Sequence, residues 1–254
     1  MSLDFERPPI NEVVLGVFFA PIPPLRAEAV GLFWARIRET FPSVVQQPIY
    51  AQEFSPIPVM PQPGEFFPLP RFWFLSKDKT RLIQLQNGAF LYNWRKQGGD
   101  YPRFSRIFIE FLDHLENFQR YLKDDLGVGT LAFTMAELTY INLFGSLESI
   151  ANPADYKRVA RDFPGYDELE EDLVLENFQH VDIFRSPNGD QVIVTQRSGS
   201  QPSDERTIVV LELKVTGPVT EPITGWFSNA HNRINESFMK VTTSEMQTRT
   251  WGGK

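Results

Sequence analysis

The chain contains no cysteine. That absence removes disulfides, thiolate metal sites and cysteine nucleophiles together, and it points to a reducing, cytoplasmic compartment. Histidine is nearly as scarce, with His114, His180 and His231 the whole supply, so no metal centre is expected. Long apolar runs are missing too. The longest, Val13 to Ala20, spans about eight residues and is broken by Gly16, where a membrane-spanning helix needs ~20. The opening MSLDFERPPINE carries acids and prolines where a secretory signal has a basic start and an apolar stretch. A soluble cytoplasmic protein with no membrane partner is the expectation.

Recognisable catalytic and cofactor motifs are absent as well. There is no G-x-x-x-x-G-K-[ST], no G-x-G-x-x-G after a strand, no H-E-x-x-H and no G-x-S-x-G, so no cofactor is expected. The formal net charge is −7, and it is unevenly placed. Residues 137–182 hold 11 acids against Lys157, Arg158 and Arg161. Binding to duplex nucleic acid rests on clustered Lys and Arg that displace counterions, so nucleic acid is not the expected partner. A basic protein surface suits the acidic stretch better, although such runs are most often solvated loops or helix faces.

What the chain does have is apolar bulk: 42% hydrophobic residues, with 22 Phe, enough for a real core. Its clearest local signal is Asn87-Gly88, the preferred pair for a two-residue type I′ hairpin turn. Closing the hairpin there pairs Gln86 with Ala89, Leu85 with Phe90 and Ile83 with Tyr92. Ile83, Leu85, Phe90, Tyr92 and Trp94 then share one buried face, and Gln84, Gln86, Asn93 and Arg95 lie beside Leu82 and Leu91 on a mixed one.

Elsewhere, Glu12–Ala20 reads as a buried strand, and Arg26–Phe41 as a helix ended by Pro42. Eight prolines between 42 and 70 forbid regular structure over much of that segment. Ile49, Tyr50, Phe54, Phe66 and Phe67 are too apolar for a free linker. An extended strap with one short strand near 47–54 is expected. A strand over Arg71–Leu75 leads into the hairpin. A second helix, Arg103–Lys123, shows apolar positions at Phe104, Ile107, Phe108, Phe111, Leu115, Phe118 and Leu122, with Gly127 and Gly129 as terminators. Met135–Phe144 is a strand. Residues 146–176 suit one or two short helices, interrupted at Asn152-Pro153 and Pro164-Gly165.

Strands return at Phe178–Arg185, Gln191–Arg197 and Thr207–Val215, followed by a helix over Trp226–Val241. Thr242 to Glu245 has the spacing of a capping box, which predicts a last short helix from Thr243. The order implies an α+β fold: an antiparallel or mixed sheet with amphipathic helices on one face. It divides into an N-terminal half, 1–146, with the strap at 42–70; an acidic connection, 147–176; and a C-terminal half, 177–254. Each half is a β-meander followed by a helix, loosely like the other, in one compact unit.

Few residues are positioned for chemistry. Asp113 and His114 are adjacent on a helix and do not face each other. His180 shares a strand face with Asp182, which suits a general base, but strand alternation alone produces such pairs. His231 stands one helical turn from Asn235, on a polar helix face that contacts either a ligand or the sheet. Glu137 and Glu212 are charges on otherwise apolar strands, and such charges need a partner or a task. The most binding-like cluster is Trp94, Arg95, Tyr101 and Arg103, where Arg stacking on an aromatic ring can present its planar fork to an anion. The alternative has Trp94 in the core, Arg95 on the open face and Tyr101-Pro102 shaping the helix start.

PPINEVVLGVFF, GLFWARIRETFP, PRFWFLSKD, LIQLQNGAFLYNWRK, YPRF, ELTYIN and AHNRINESFMKVTTSEMQTRTWG resemble, in order and over almost the whole chain, a sporadically distributed, uncharacterised bacterial family of similar length. The resemblance implies membership and carries no activity, substrate or catalytic residue. Sporadic occurrence resembles that of mobile-element and defence-type genes, an analogy only. The expected function is therefore a non-enzymatic module that binds another protein or a second copy of itself. The alternatives are an enzyme with Glu137 and Glu212 in a cleft between the halves, and a small-ligand sensor using Arg95 and Arg103.

Overall fold

A computed structural model of the chain describes residues 5–48, 69–163, 173–200, 206–220 and 222–253. Nine strands form one antiparallel sheet, in the order β2-β3-β4-β5-β1-β6-β9-β8-β7, and three long helices complete an α+β fold. The strands are β1 (Ile10–Phe19), β2 (Ser43–Gln47), β3 (Arg71–Leu75), β4 (Arg81–Gln86), β5 (Ala89–Arg95), β6 (Phe133–Phe144), β7 (Gln179–Arg185), β8 (Gln191–Ser200) and β9 (Thr207–Pro218). The helices are α1 (Ala27–Ile37), α2 (Phe104–Leu126) and α3 (Ile223–Val241). The chain divides into two compact units, Val14–Ala136 and a second made of Met1–Val13 with Glu137–Lys254. The sequence reading divides it instead at 146 and 177, because contacts distant in sequence leave no local mark.

In the unit Val14–Ala136 the hairpin forms in the expected register: Gln86 with Ala89, Leu85 with Phe90, Ile83 with Tyr92. Its turn differs from the expectation. Gly88 takes φ 104°, but Asn87 is not among the positive-φ residues, so the turn is not type I′, which needs φ > 0 at both positions. The Asn87 side chain is held elsewhere. Its Oδ1 accepts the Ile22 N–H at 2.7 Å and its Nδ2 donates to the Ile22 carbonyl at 3.3 Å. Gly88 lies against the chain there, its carbonyl accepting from Phe19 N–H at 3.0 Å.

Both hairpin faces are buried. Ile83, Leu85, Phe90, Tyr92 and Trp94 form the aromatic one. On the other, Leu91 and Ala89 pack with Val14, Phe18 and Met135. Gln84 and Asn93 are buried on that side and satisfied by each other, Gln84 Nε2 donating to Asn93 Oδ1 at 2.8 Å. Trp73 Nε1 completes the chain by donating to Gln84 Oε1 at 3.0 Å. Buried amides of this kind are tolerated because each polar atom has a partner.

Helix α2 buries Ile107, Phe111, Leu115, Phe118, Tyr121 and Leu122 at helical spacing. It ends where the sequence says, with Gly127 left-handed at φ 64° and its N–H donating to the Leu122 carbonyl, the conformation only glycine adopts without strain. Phe33 of α1 sits on Phe118 and Tyr121, with ring centroids 5.2 and 5.5 Å apart. The Tyr121 hydroxyl donates to the Ala29 carbonyl at 2.6 Å. Helix α1 stops at Ile37 rather than Phe41. Among the described residues a strand, β2, lies at Ser43–Gln47, just ahead of the dense prolines; the strand expected near 47–54 falls largely outside the described residues. Ile49, Tyr50, Phe54, Phe66 and Phe67 lie outside the described residues, as do Pro164 and Gly165.

In the second unit, β7 and β8 join through Ser186–Asp190, with Arg185 opposite Gln191, the five-residue loop the sequence predicts. Asn188 and Gly189 turn it, with Gly189 at φ 92°. Helix α3 packs Trp226, Phe227, Ala230, Ile234 and Phe238 in this unit. Trp251 is fully buried among Phe5, Phe144 and Phe238. Its Nε1 donates to Glu148 Oε1 at 3.0 Å, which gives this buried acid a structural task. Two short 3-10 helices, Ser146–Glu148 and Pro153–Arg158, occupy the acidic connection. At the C-terminus the capping residue is one later than the box predicts. The Thr242 hydroxyl donates back to the Phe238 carbonyl at 2.7 Å, and Thr243 precedes a last helix that widens to a π-helix over Met246–Thr250.

Candidate functional site

In the unit Val14–Ala136, residues from three consecutive elements, β4, β5 and α2, and from the loops beside them converge on one cleft. The register places Arg81 of β4 opposite Trp94 of β5. The chain then turns through Gly98, with φ 85°, and enters α2 over Tyr101-Pro102. The result is an open cleft of about 250 Å³ whose lining includes Asp78, Thr80, Arg81, Trp94, Arg95 and Arg106. Trp94 is 4% exposed, so the core reading of this residue holds. Its ring meets Tyr101 edge-on, centroids 5.4 Å apart. Arg103 does not line the cleft. It stands at the start of α2 with φ 74° and ψ 151°, a strained backbone for any residue with a Cβ.

Beneath the cleft lies an ionic network. Arg81 grips Glu110 with both arms, Nε to Oε2 at 2.5 Å and Nη2 to Oε1 at 3.0 Å. The Tyr92 hydroxyl donates to Glu110 Oε2 at 2.9 Å, and Arg106 Nε donates to Oε1 at 3.3 Å. Burial pushes the Glu110 carboxyl up, but the hydrogen bonds from Arg81 and Tyr92 and the Arg81 charge outweigh it and hold it below its ordinary value. Burial, with the Glu110 charge beside it, raises the Tyr92 phenol. Asp78 is consumed locally. It accepts from the Ser76 hydroxyl and from both the N–H and hydroxyl of Thr80, which lower it to about 2.

Sequence reasoning names Trp94, Arg95, Tyr101 and Arg103 because they are close along the chain. It misses Arg81, Arg106 and Glu110. The signal was available: the hairpin register sets Arg81 against Trp94, and Arg106 and Glu110 are one helical turn apart.

The other named residues lie in the second unit. His231 is held between the Tyr140 hydroxyl, 3.0 Å from Nδ1, and the Asn235 amide, 3.2 Å from Nε2. A singly protonated ring satisfies both if Nδ1–H donates to Tyr140 and Nε2 accepts from Asn235. Burial lowers it to about 4. This is the helix face that contacts the sheet, as one of the two readings has it. His114 is lowered by burial too, its ring packed on Phe41 and Tyr92. His180 Nε2 does reach Asp182 Oδ2, at 2.9 Å, on an exposed strand.

Glu137 and Glu212 lie outside the cleft. Glu137 is 4% exposed and accepts from the Thr139 hydroxyl at 3.2 Å. Glu212 Oε1 stands 3.7 Å from Lys214 Nζ, two residues along the same strand face. Each acid has a local structural partner. Among the described residues no group of three or more His, Asp or Glu is arranged to hold a metal, and no helix is long and apolar enough to cross a membrane.

A further surface is the end of the sheet. Among the described residues, strand β7 pairs only with β8 in the strand order, and Val181, Ile183 and Phe184 on it are 45%, 49% and 58% exposed. The sequence reading treats this strand as ordinary, because its alternation does not say which edge it occupies.

No protein-family model matches the chain, and no curated protein matches it. Among solved structures, that of the di-domain ARO/CYC StfQ from the steffimycin biosynthetic pathway aligns with 90% of this chain and 96% of that one. The identity is 10% and the TM-score 0.18, a likeness too slight to carry a fold or a function.

Proposed function

We propose that the protein is a non-enzymatic binding module whose partner protein adds an extended strand to the open edge of β7. The observation that supports this is the apolar exposure of Val181, Ile183 and Phe184 on a terminal strand. An edge strand offers a row of unpaired N–H and C=O groups, and natural edges are usually blunted by charge, proline or a bulge. Here the backbone hydrogen bonds would supply affinity, and the apolar side chains specificity.

The charge around the edge favours a different protein over a second copy. Asp182 is the central residue of β7, so symmetric antiparallel pairing about it sets two aspartates opposite each other, which destabilises a sheet. The acidic stretch leading into β7 suits a basic partner. The two buried-strand acids have local structural partners, which favours binding over carboxylate catalysis.

The test is affinity purification of the tagged chain from its native host, wild type beside a Val181→Lys/Ile183→Lys variant, with solution mass of the eluate. A stoichiometric protein that elutes with the wild type and is lost from the variant supports the module. A homodimer lost in the variant transfers the edge to self-assembly. A wild-type monomer with nothing bound, or equal capture by both chains, refutes the reading.

A further inference from the structure

We propose that the segment seated on β7 is an antiparallel strand carrying Lys or Arg between two apolar residues, with the cation set against Asp182. The inference rests on the edge-binding reading above and names the chemistry of its partner. The ladder between β7 and β8 decides which backbone groups the edge offers. Pairing runs one to one, without a bulge, from Gln179 opposite Arg197 to Arg185 opposite Gln191. Just beyond its two ends, the Ser198 N–H donates to the Phe178 carbonyl at 3.1 Å and the Ser186 N–H to the Asp190 carbonyl at 2.8 Å. The even-numbered residues of this stretch therefore turn their backbone groups towards β8. Strand geometry turns those of Gln179, Val181, Ile183 and Arg185 outward, to an incoming chain.

That parity fixes the partner's pattern. In an antiparallel arrangement, such as β7 already makes with β8, the residues opposite Val181 and Ile183 form hydrogen-bonded pairs with them. The residue between stands opposite Asp182 in a non-hydrogen-bonded pair, where Cα atoms approach to ~4.5 Å and side chains lie closest. Apolar side chains opposite Val181 and Ile183 extend a patch that includes Ile193, which β8 places opposite Ile183. The middle side chain falls on the other face, with His180, Asp182 and Phe184.

On that face a cation meets a carboxylate, and an acid is repelled. His180 Nε2 holds Asp182 Oδ2 at 2.9 Å, and the partner's cation takes the other oxygen. Arg185 lies on the opposite face and does not compete. A slip of one residue would move the cation between Val181 and Ile183 and set apolar groups against Asp182, so the register is specified. The sequence of β7, QHVDIFR, holds no cation between apolar residues, so the β7 of a second copy does not supply this segment.

The experiment is fluorescence anisotropy of labelled peptides titrated with the full chain. The peptides share the core Thr-Val-X-Val-Thr, with Lys, Ala or Glu at X. The Lys peptide should bind about threefold to tenfold tighter than the Glu peptide, and the gap should narrow as salt rises. Asp182→Asn should remove the preference and Asp182→Lys should reverse it. Val181→Lys/Ile183→Lys should lose all three peptides. N-methylation of either Val amide should abolish binding, and N-methylation of the Lys amide should not. Thermal midpoints equal to wild type establish that each variant is folded. Equal binding of the three peptides, lost in the double variant, overturns the cation pattern and leaves the edge reading standing. An Asp182→Lys chain that keeps the wild-type order overturns the pattern too, as does loss of binding on methylating the Lys amide alone. If no peptide binds, the inference falls, and the edge reading is decided separately by the purification above.

Discussion

Trp94 and Arg95 are neighbours in sequence with opposite fates, because successive side chains of a strand point to opposite faces. Trp94 enters the aromatic core with Tyr101 against it, and Arg95 is left half-buried at the cleft. Trp94→Ala should cost ~3–5 kcal/mol, the range for deleting a large buried ring. Arg95→Ala should cost under about 1 kcal/mol, because it breaks no contact that the fold needs. Chemical denaturation of both variants checks the pair. Near-equal losses would mean that the two side chains do not differ in burial as described. Residue identity alone could not divide these roles. The hairpin register, readable from Asn87-Gly88, puts Trp94 on the buried face and Arg95 on the mixed one, and the approach to α2 then sets Tyr101 against the ring.

At the level of elements, legibility tracked the range of the forces involved. The hairpin register, the apolar stripe of α2 and its glycine stop were readable because each depends on residues a few positions apart. Gly127 makes the point testable. Its φ of 64° is open to glycine and strained for alanine, so Gly127→Ala should destabilise by ~1 kcal/mol. A lowered thermal midpoint is the expected result; an unchanged one would show the helix able to end elsewhere. The misreadings arose where a distant group won a local contest. Asn87 gives up the turn's left-handed geometry while bonding Ile22, and Thr242 turns its hydroxyl to Phe238 instead of capping. The exposed edge of β7 was invisible for the same reason. Strand alternation reports faces, and an edge is a property of the sheet order.

For the whole molecule, charge and burial together set the response to acid. His231 is the group that reports it best. Packed between Tyr140 and Asn235, it holds one proton comfortably, whereas a second would point an N–H at the Asn235 amide donor. Burial accordingly lowers it to about 4 in the folded chain, from an ordinary 6.5. Below pH 6.5 the unfolded chain takes up a proton that the folded chain refuses. The stability from a neutral His231 is thus complete above 6.5 and lost as pH falls towards 4, to the extent of about 3 kcal/mol. His114, also lowered by burial, pulls the same way. Glu110, held below its ordinary value by Arg81 and Tyr92, contributes only in a lower window, from the usual carboxylate range downward. In a chain of this size each kcal/mol moves the midpoint by roughly 2–4 °C. Thermal unfolding from pH 7.5 to 4.5 should therefore show a falling midpoint in the wild type and a shallower fall in His231→Gln, which keeps a polar side chain but cannot titrate. Parallel curves would place the acid sensitivity elsewhere and leave His231 titrating as it does in an unfolded chain.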